Sequence, residues 1–178
     1  MQHRGVRSLI AATLLSVSAS AQALEGFSLL YGEGNHVGVY GVEARWGDWR
    51  QWQLSERWRL SAYGMASLAY WRAREESEHK ELWDVGVAPV LRLERLRDGV
   101  APYFEASLGA HLLSSRQING NRAFSTSFQF GEYVGAGLLF GPRHNVGVAL
   151  RLQHVSNGGI ENPNPGLTFV SAAMQYRF

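Results

Sequence analysis

His154 and Ser156 stand two residues apart at the end of an alternating apolar run, and Asn157-Gly158-Gly159 follow them directly. On an extended chain, residues i and i+2 share a face. The imidazole is then near enough to activate the hydroxyl as a general base. The asparagine and the two glycines add a backbone free enough to offer N–H groups to an oxyanion. Together these groups suit acyl transfer from an ester. The pair alone reads at least as well as two polar residues at a membrane rim, so the elements that position it have to decide.

The first 23 residues read as a secretory signal peptide. Arg4 and Arg7 make the positive start, Leu9 to Val17 the apolar core, and Ala21-Gln22-Ala23 the small-x-small cleavage signal. That core is too short to cross a bilayer as a helix, and no later stretch approaches the ~20 apolar residues required. The remaining domain, residues 24–178, has no cysteine and therefore no disulfide to rely on. Without the leader, 15 basic residues face 15 acidic ones, so charge gives no argument for nucleic acid as a partner. Of the 17 basic residues in the full chain, 16 are arginine, the cation suited to tight pairing in confined places.

After the leader no stretch sustains helical spacing, and period-two alternation recurs instead. Trp58, Leu60, Ala62, Gly64, Ala66, Leu68 and Tyr70 form one apolar face, against Arg59, Ser61, Tyr63 and Ser67 on the other. Further runs start near Trp83, Pro102, Phe128, Val146 and Val170, and two more cover about 26–32 and 36–46. Eight antiparallel strands can close a small barrel with no free edge. Arg57, Arg59, Asp84, Arg92, Glu94, Glu105 and Arg151 all fall on the polar face. These are too many charges for an apolar-lined soluble barrel, but they fit the paired interior of an outer-membrane barrel whose apolar face meets lipid. The step from Trp58 to Tyr70 spans ~40 Å extended, or roughly 28 Å at a ~45° tilt, close to the ~25 Å apolar band of such barrels. The chain also ends on Met174, Tyr176 and Phe178, alternate apolar positions like those that close bacterial outer-membrane barrels. The expected fold is thus an all-β, eight-stranded antiparallel transmembrane β-barrel of the outer membrane.

Short turns at 97–99 and 141–143 belong on the periplasmic side, and the long polar connections 73–80 and 114–126 outside. Strand seven then ends at the outer surface. Parity with Val146, Val148, Leu150 and Leu152 turns His154 and Ser156 toward lipid, where lipopolysaccharide is found.

His154-x-Ser156-Asn157-x-Gly159, then Pro163-Asn164-x-Gly166, set in an eight-strand layout with a terminal aromatic, resembles the lipid A 3-O-deacylase (PagL) family of outer-membrane esterases. The motif sits in the last two strands; elsewhere the resemblance is one of patterning, with Gly135-Ala136-Gly137-Leu138 also in keeping. It implies hydrolysis of the ester-linked 3-hydroxyacyl chain at position 3 of lipid A, with no metal and no cofactor. By that resemblance Ser156 is the nucleophile, His154 the base, and Asn157 with the Gly159 amide the oxyanion donors. The family's triad acid lies two residues after the glycine of the Pro-Asn-x-Gly turn, and here that position holds Thr168. A threonine can orient an imidazole but has no charge to stabilise an imidazolium. Glu132 on strand six is the first candidate to replace the acid, because a carboxylate on the lipid face is costly unless used. Counting back through the turn at 141–143 puts Phe130 near His154 and Glu132 near Leu152. Glu161, in the loop after the motif, is the second candidate, and a His/Ser dyad supported by Thr168 is the third arrangement.

Gly32-Glu33-Gly34 reads as a turn without phosphate-binding context, and His36, His79, His111 and His144 lack metal-ligand spacing. Arg74, Arg116 and Arg122 in the long loops are candidates to hold lipid A phosphates, or are solvated loop charges. The expected partners are lipid A or lipopolysaccharide and the outer membrane; a homodimer follows from the resemblance alone. Two rivals stay open. One is a structural or adhesive barrel whose site has decayed, and the other is a lipid A palmitoyltransferase with its acyl pocket inside the barrel.

Overall fold

The computed structural model describes residues 24–74, 81–118 and 122–178; the expected signal peptide lies outside the described residues. Eight strands follow one another: β1 (Leu24–Gly34), β2 (Val37–Ser55), β3 (Trp58–Ala73), β4 (Glu81–Arg95), β5 (Ala101–Leu113), β6 (Phe128–Phe140), β7 (Val146–Ser156) and β8 (Leu167–Arg177). Each is antiparallel to the next, and β8 pairs back onto β1 to close the barrel. Closure leaves no edge, so every strand has two neighbours for its backbone N–H and C=O groups.

The alternation in the sequence becomes an inside and an outside. On β4, Trp83, Val85, Val87 and Leu91 are exposed while Leu82, Asp84, Ala88, Val90 and Arg92 are buried. On β7, Val148, Leu150 and Leu152 point out while Arg151 and Gln153 point in. The outward positions are mostly apolar on every strand, with polar groups such as Glu132 and Thr168 toward the strand ends, the parity expected of a membrane barrel.

The interior is layered rather than uniformly polar. At the end that carries connections 74–80, 114–127 and 157–166, Trp71, Phe169, Val39 and Leu82 form an apolar plug, to which Ile118 and Phe124 of the β5–β6 connection are added. Below it the charged groups pair. Glu105 accepts from Arg92 Nη2 at 2.8 Å and Arg151 Nε at 2.7 Å, and Arg151 Nη1 reaches Glu43 at 2.6 Å. The guanidinium groups of Arg45, Arg92 and Arg151 lie 3.8, 4.3 and 4.5 Å from the ring centres of Tyr63, Tyr103 and Tyr133. Cations are thus held by carboxylates on one side and aromatic faces on another.

Three local expectations are corrected. Gly32-Glu33-Gly34 lies within β1, and its glycines are required there by close packing. A Cβ on Gly34 would stand 2.1 Å from the Thr168 carbonyl oxygen. The turn is Asn35-His36, both at positive φ, 52° and 61°. It is a two-residue hairpin at the same end as the long loops, so the split of long and short connections between the two ends is incomplete. Finally, the β6–β7 connection takes five residues, with Gly141 at φ 88° and His144 at φ 52°. The β6–β7 register therefore slides by two from the one counted through a three-residue turn. Parity is kept, but Phe130 pairs with Ser156 and Glu132 with His154.

Candidate active site

The last residues of β7 leave the barrel wall facing outward. Val155 is wholly buried in the plug and fixes the strand's orientation, so His154 and Ser156 on either side of it project outward and are half-exposed. His154 has a direct cross-strand partner on each flank, Glu132 of β6 and Thr168 of β8. Side chains so paired start from Cβ atoms roughly 4.5–5.5 Å apart. One row of the outer wall therefore reads Glu132, His154, Thr168.

On the β8 flank the contact is made. His154 Nδ1 lies 2.7 Å from Thr168 Oγ1, and Thr168 is itself fixed by its backbone N–H, which donates to Asn35 Oδ1 at 3.1 Å. With the proton on Nδ1, the N–H donates to the threonine oxygen and Nε2 is left as an acceptor. Gly166 makes room for the ring: a Cβ there would lie 2.7 Å from His154 Cε1 and 3.0 Å from Nε2, and its φ of 56° also disfavours a side chain. On the β6 flank Glu132 is exposed and has no hydrogen bond or ion pair among the described residues. It is adjacent to the histidine but not bonded to it. Glu161 makes no hydrogen bond or ion pair with His154 among the described residues. It contributes its carbonyl oxygen, which accepts from Asn157 Nδ2 at 2.7 Å and Ser125 Oγ at 3.0 Å.

Ser156 has one polar contact among the described residues, the Gly158 N–H at 3.4 Å from its Oγ. The hydroxyl and the imidazole are thus on one face without a hydrogen bond between them. Catalytic contacts often tighten only once substrate is bound.

Asn157 is 1% exposed, and its polar atoms are engaged in the loop itself. Its N–H donates to Asn164 Oδ1 at 3.0 Å, its Nδ2 donates to Ser125 Oγ and the Glu161 carbonyl, and its Oδ1 accepts from the Gly159 N–H at 2.8 Å. Both groups expected as oxyanion donors therefore hold the 157–166 loop in shape, and the N–H turned toward Ser156 belongs to Gly158. The Pro-Asn-x-Gly motif has a plain structural meaning here: Asn164 ties the loop to the strand end and Gly166 seats the imidazole.

Two supports come from the β5–β6 connection, where no local pattern announced them. Ser125 bridges Asn157 and Glu161, and Arg122 Nη1 donates to the Gly166 carbonyl. The three loop arginines are all engaged: Arg116 donates to the Ser125 carbonyl at 3.1 Å, and Arg74 pairs with Glu33. Among the described residues no group of three His, Asp or Glu could hold a metal.

Residues 38–177 match the family described as lipid A 3-O-deacylase (PagL). The chain is 32% identical over 176 residues to the lipid A deacylase PagL of Bordetella bronchiseptica, covering 96% of this chain and 93% of that protein. It is 32% identical over 160 residues to the lipid A deacylase PagL of Pseudomonas aeruginosa, covering 89% of each. The fold superimposes on the crystal structure of the outer membrane enzyme PagL with a TM-score of 0.76 and 26% identity, over 86% of this chain and 99% of that one.

Proposed function

Since the chain belongs to the lipid A 3-O-deacylase (PagL) family of outer-membrane ester hydrolases, we propose that it removes the 3-hydroxyacyl chain at position 3 of lipid A, with Ser156 and His154 working on the lipid-facing exterior of the barrel. The observation that carries this reading is the seating of His154. Thr168 fixes Nδ1 at 2.7 Å and Gly166 clears the ring, two residues before a serine on the same outward face. Directly below lie Leu152, Val134 and Val170, all exposed and apolar, a surface on which an acyl chain in the outer leaflet can rest.

In this mechanism His154 Nε2 takes the proton of Ser156 Oγ as the oxygen attacks the ester carbonyl carbon. The Gly158 N–H, already turned to Ser156, is the first donor to the oxyanion. The Gly159 N–H can join once it leaves Asn157 Oδ1, while Asn157 keeps the loop in place. The protonated imidazole then gives its proton to the departing sugar oxygen. Water, activated by the same histidine, cleaves the acyl-enzyme, freeing the 3-hydroxy fatty acid and Ser156. Thr168 sets the tautomer but brings no charge. Glu132, paired with His154 from the other flank, supplies the negative charge beside the imidazolium.

Mass spectrometry of lipid A from cells producing the wild type and Ser156→Ala tests the reading. The wild type should lose one 3-hydroxyacyl mass and the variant should not; fully acylated lipid A from both, with folded barrels in the membrane, would overturn it. One observation favours a second reading, a barrel with a decayed site: the neutral Thr168 at the acid position. A palmitoyltransferase with an internal acyl pocket has less support, since the cavity beside Trp71, His111 and Tyr133 is only about 20 Å³.

A further inference from the structure

At the end of the barrel opposite His154, a cavity of about 400 Å³ opens between Arg45, Arg59, Arg143, Arg177, Glu25 and Asp48. Its cations are incompletely matched. Arg177 is satisfied, by Glu94 at 3.0 Å and by the His144 carbonyl at 2.8 Å and 3.3 Å. Arg59 gives Nη2 to Glu94 at 2.7 Å, but its Nε is buried without a hydrogen-bond partner among the described residues. Arg45, 7% exposed, pairs through Nη2 with Asp48 and lies over the Tyr63 ring; its Nε is 3.7 Å from Glu25, and Nε and Nη1 are both buried without a hydrogen bond among the described residues. Arg143, exposed on the β6–β7 turn, has no hydrogen bond or ion pair among the described residues.

Guanidinium groups only donate, so whatever completes this set must be an acceptor. Glu25, Asp48 and Glu94 leave donor N–H groups of Arg45, Arg59 and Arg143 unmet among the described residues. The planar donor fork of arginine matches phosphate oxygens in pairs. A second observation sets the level of the cavity relative to the bilayer. Phe27, Tyr176 and Phe178 cluster on the outer wall next to it, with ring centres 5.9–6.3 Å apart. Aromatic residues ring outer-membrane barrels at the headgroup level, where phosphate groups are concentrated.

We propose that this mouth of the barrel is an anion site that takes a phosphate group, from free phosphate or a phospholipid headgroup, between Arg45, Arg59 and Arg143. The site stands apart from the deacylase reading and does not depend on it.

The test is thermal unfolding of the refolded barrel in zwitterionic detergent, with inorganic phosphate titrated at constant ionic strength. The wild type should gain stability saturably. Arg143→Gln, which alters only an exposed turn side chain, should need roughly tenfold more phosphate, the loss of one charge-assisted bond. Arg45→Gln should respond still less if it folds. No saturable gain, or an unchanged response in Arg143→Gln, overturns the site. Nanodiscs identify the source: a phosphate response present in uncharged glycolipid and absent in phosphatidylglycerol marks the headgroup as the occupant. A response present in both marks free phosphate.

Discussion

Glu105 and Glu132 are carboxylates on neighbouring strands, one facing inward and one outward. Glu105 is 4% exposed and accepts from Arg92 and Arg151. Glu132 stands on an apolar outer wall, opposite His154, with no bonded partner among the described residues. Packing and pairing account fully for the inner one: a barrel interior filled with side chains can hold charge only when it is matched. They do not account for the outer one, because a carboxylate on a membrane-facing wall is costly unless it has work. In the proposed mechanism that work is the charge beside the His154 imidazolium, so the two glutamates should fail in different ways when changed.

The largest effect on activity, short of removing Ser156 or His154, is expected from Gly166→Ala. The new Cβ would meet the imidazole at 2.7 Å and also sit at a φ of 56°, displacing the base rather than removing it. Misplacement of a catalytic group by ~1 Å can cost about 10²-fold in rate. Turnover of purified lipid A should fall by that order while the barrel still folds. Wild-type turnover in Gly166→Ala would detach His154 from the chemistry.

Next comes the contrast between the two flanks of His154. Glu132→Gln removes a charge from beside the imidazolium, an effect of about 2 kcal/mol or roughly 30-fold in kcat. Thr168→Val removes a neutral hydrogen bond, about 1 kcal/mol or less than tenfold. If Thr168→Val proves the worse lesion, orientation outweighs charge and Glu132 is a bystander. A sharper form restores the acid at the family's position: Thr168→Glu should recover activity in the Glu132→Gln background, and no recovery would count against a role for charge at His154.

Much of this geometry was legible in the sequence. Strict alternation on β3, β4, β5 and β7 specified both the strands and their faces, because one residue of slip would turn Arg92 and Glu105 onto the apolar wall. The same parity put His154, Ser156 and Glu132 outside. The turn conformations were not legible. The conformations at Gly141 and His144 lengthen the β6–β7 connection, and this brings Glu132 opposite His154 instead of Leu152. The roles of Arg122 and Ser125 were hidden for another reason. They touch Gly166, Asn157 and Glu161 across long sequence separations, and such contacts leave no local pattern.

The smallest effect on activity belongs to the inner glutamate. Glu105→Gln keeps the shape and one acceptor oxygen but leaves Arg92 and Arg151, 1% and 3% exposed, without their shared carboxylate. Breaking a buried charge set by removing one partner costs about 3–5 kcal/mol, a loss that urea unfolding in detergent should register. Deacylation per folded molecule should nevertheless stay within about twofold of wild type, because Glu105 touches neither face of the His154 row. A large fall in turnover with unchanged stability would mean that the interior network acts on the outer wall, and that the two carboxylates differ less than their surroundings indicate.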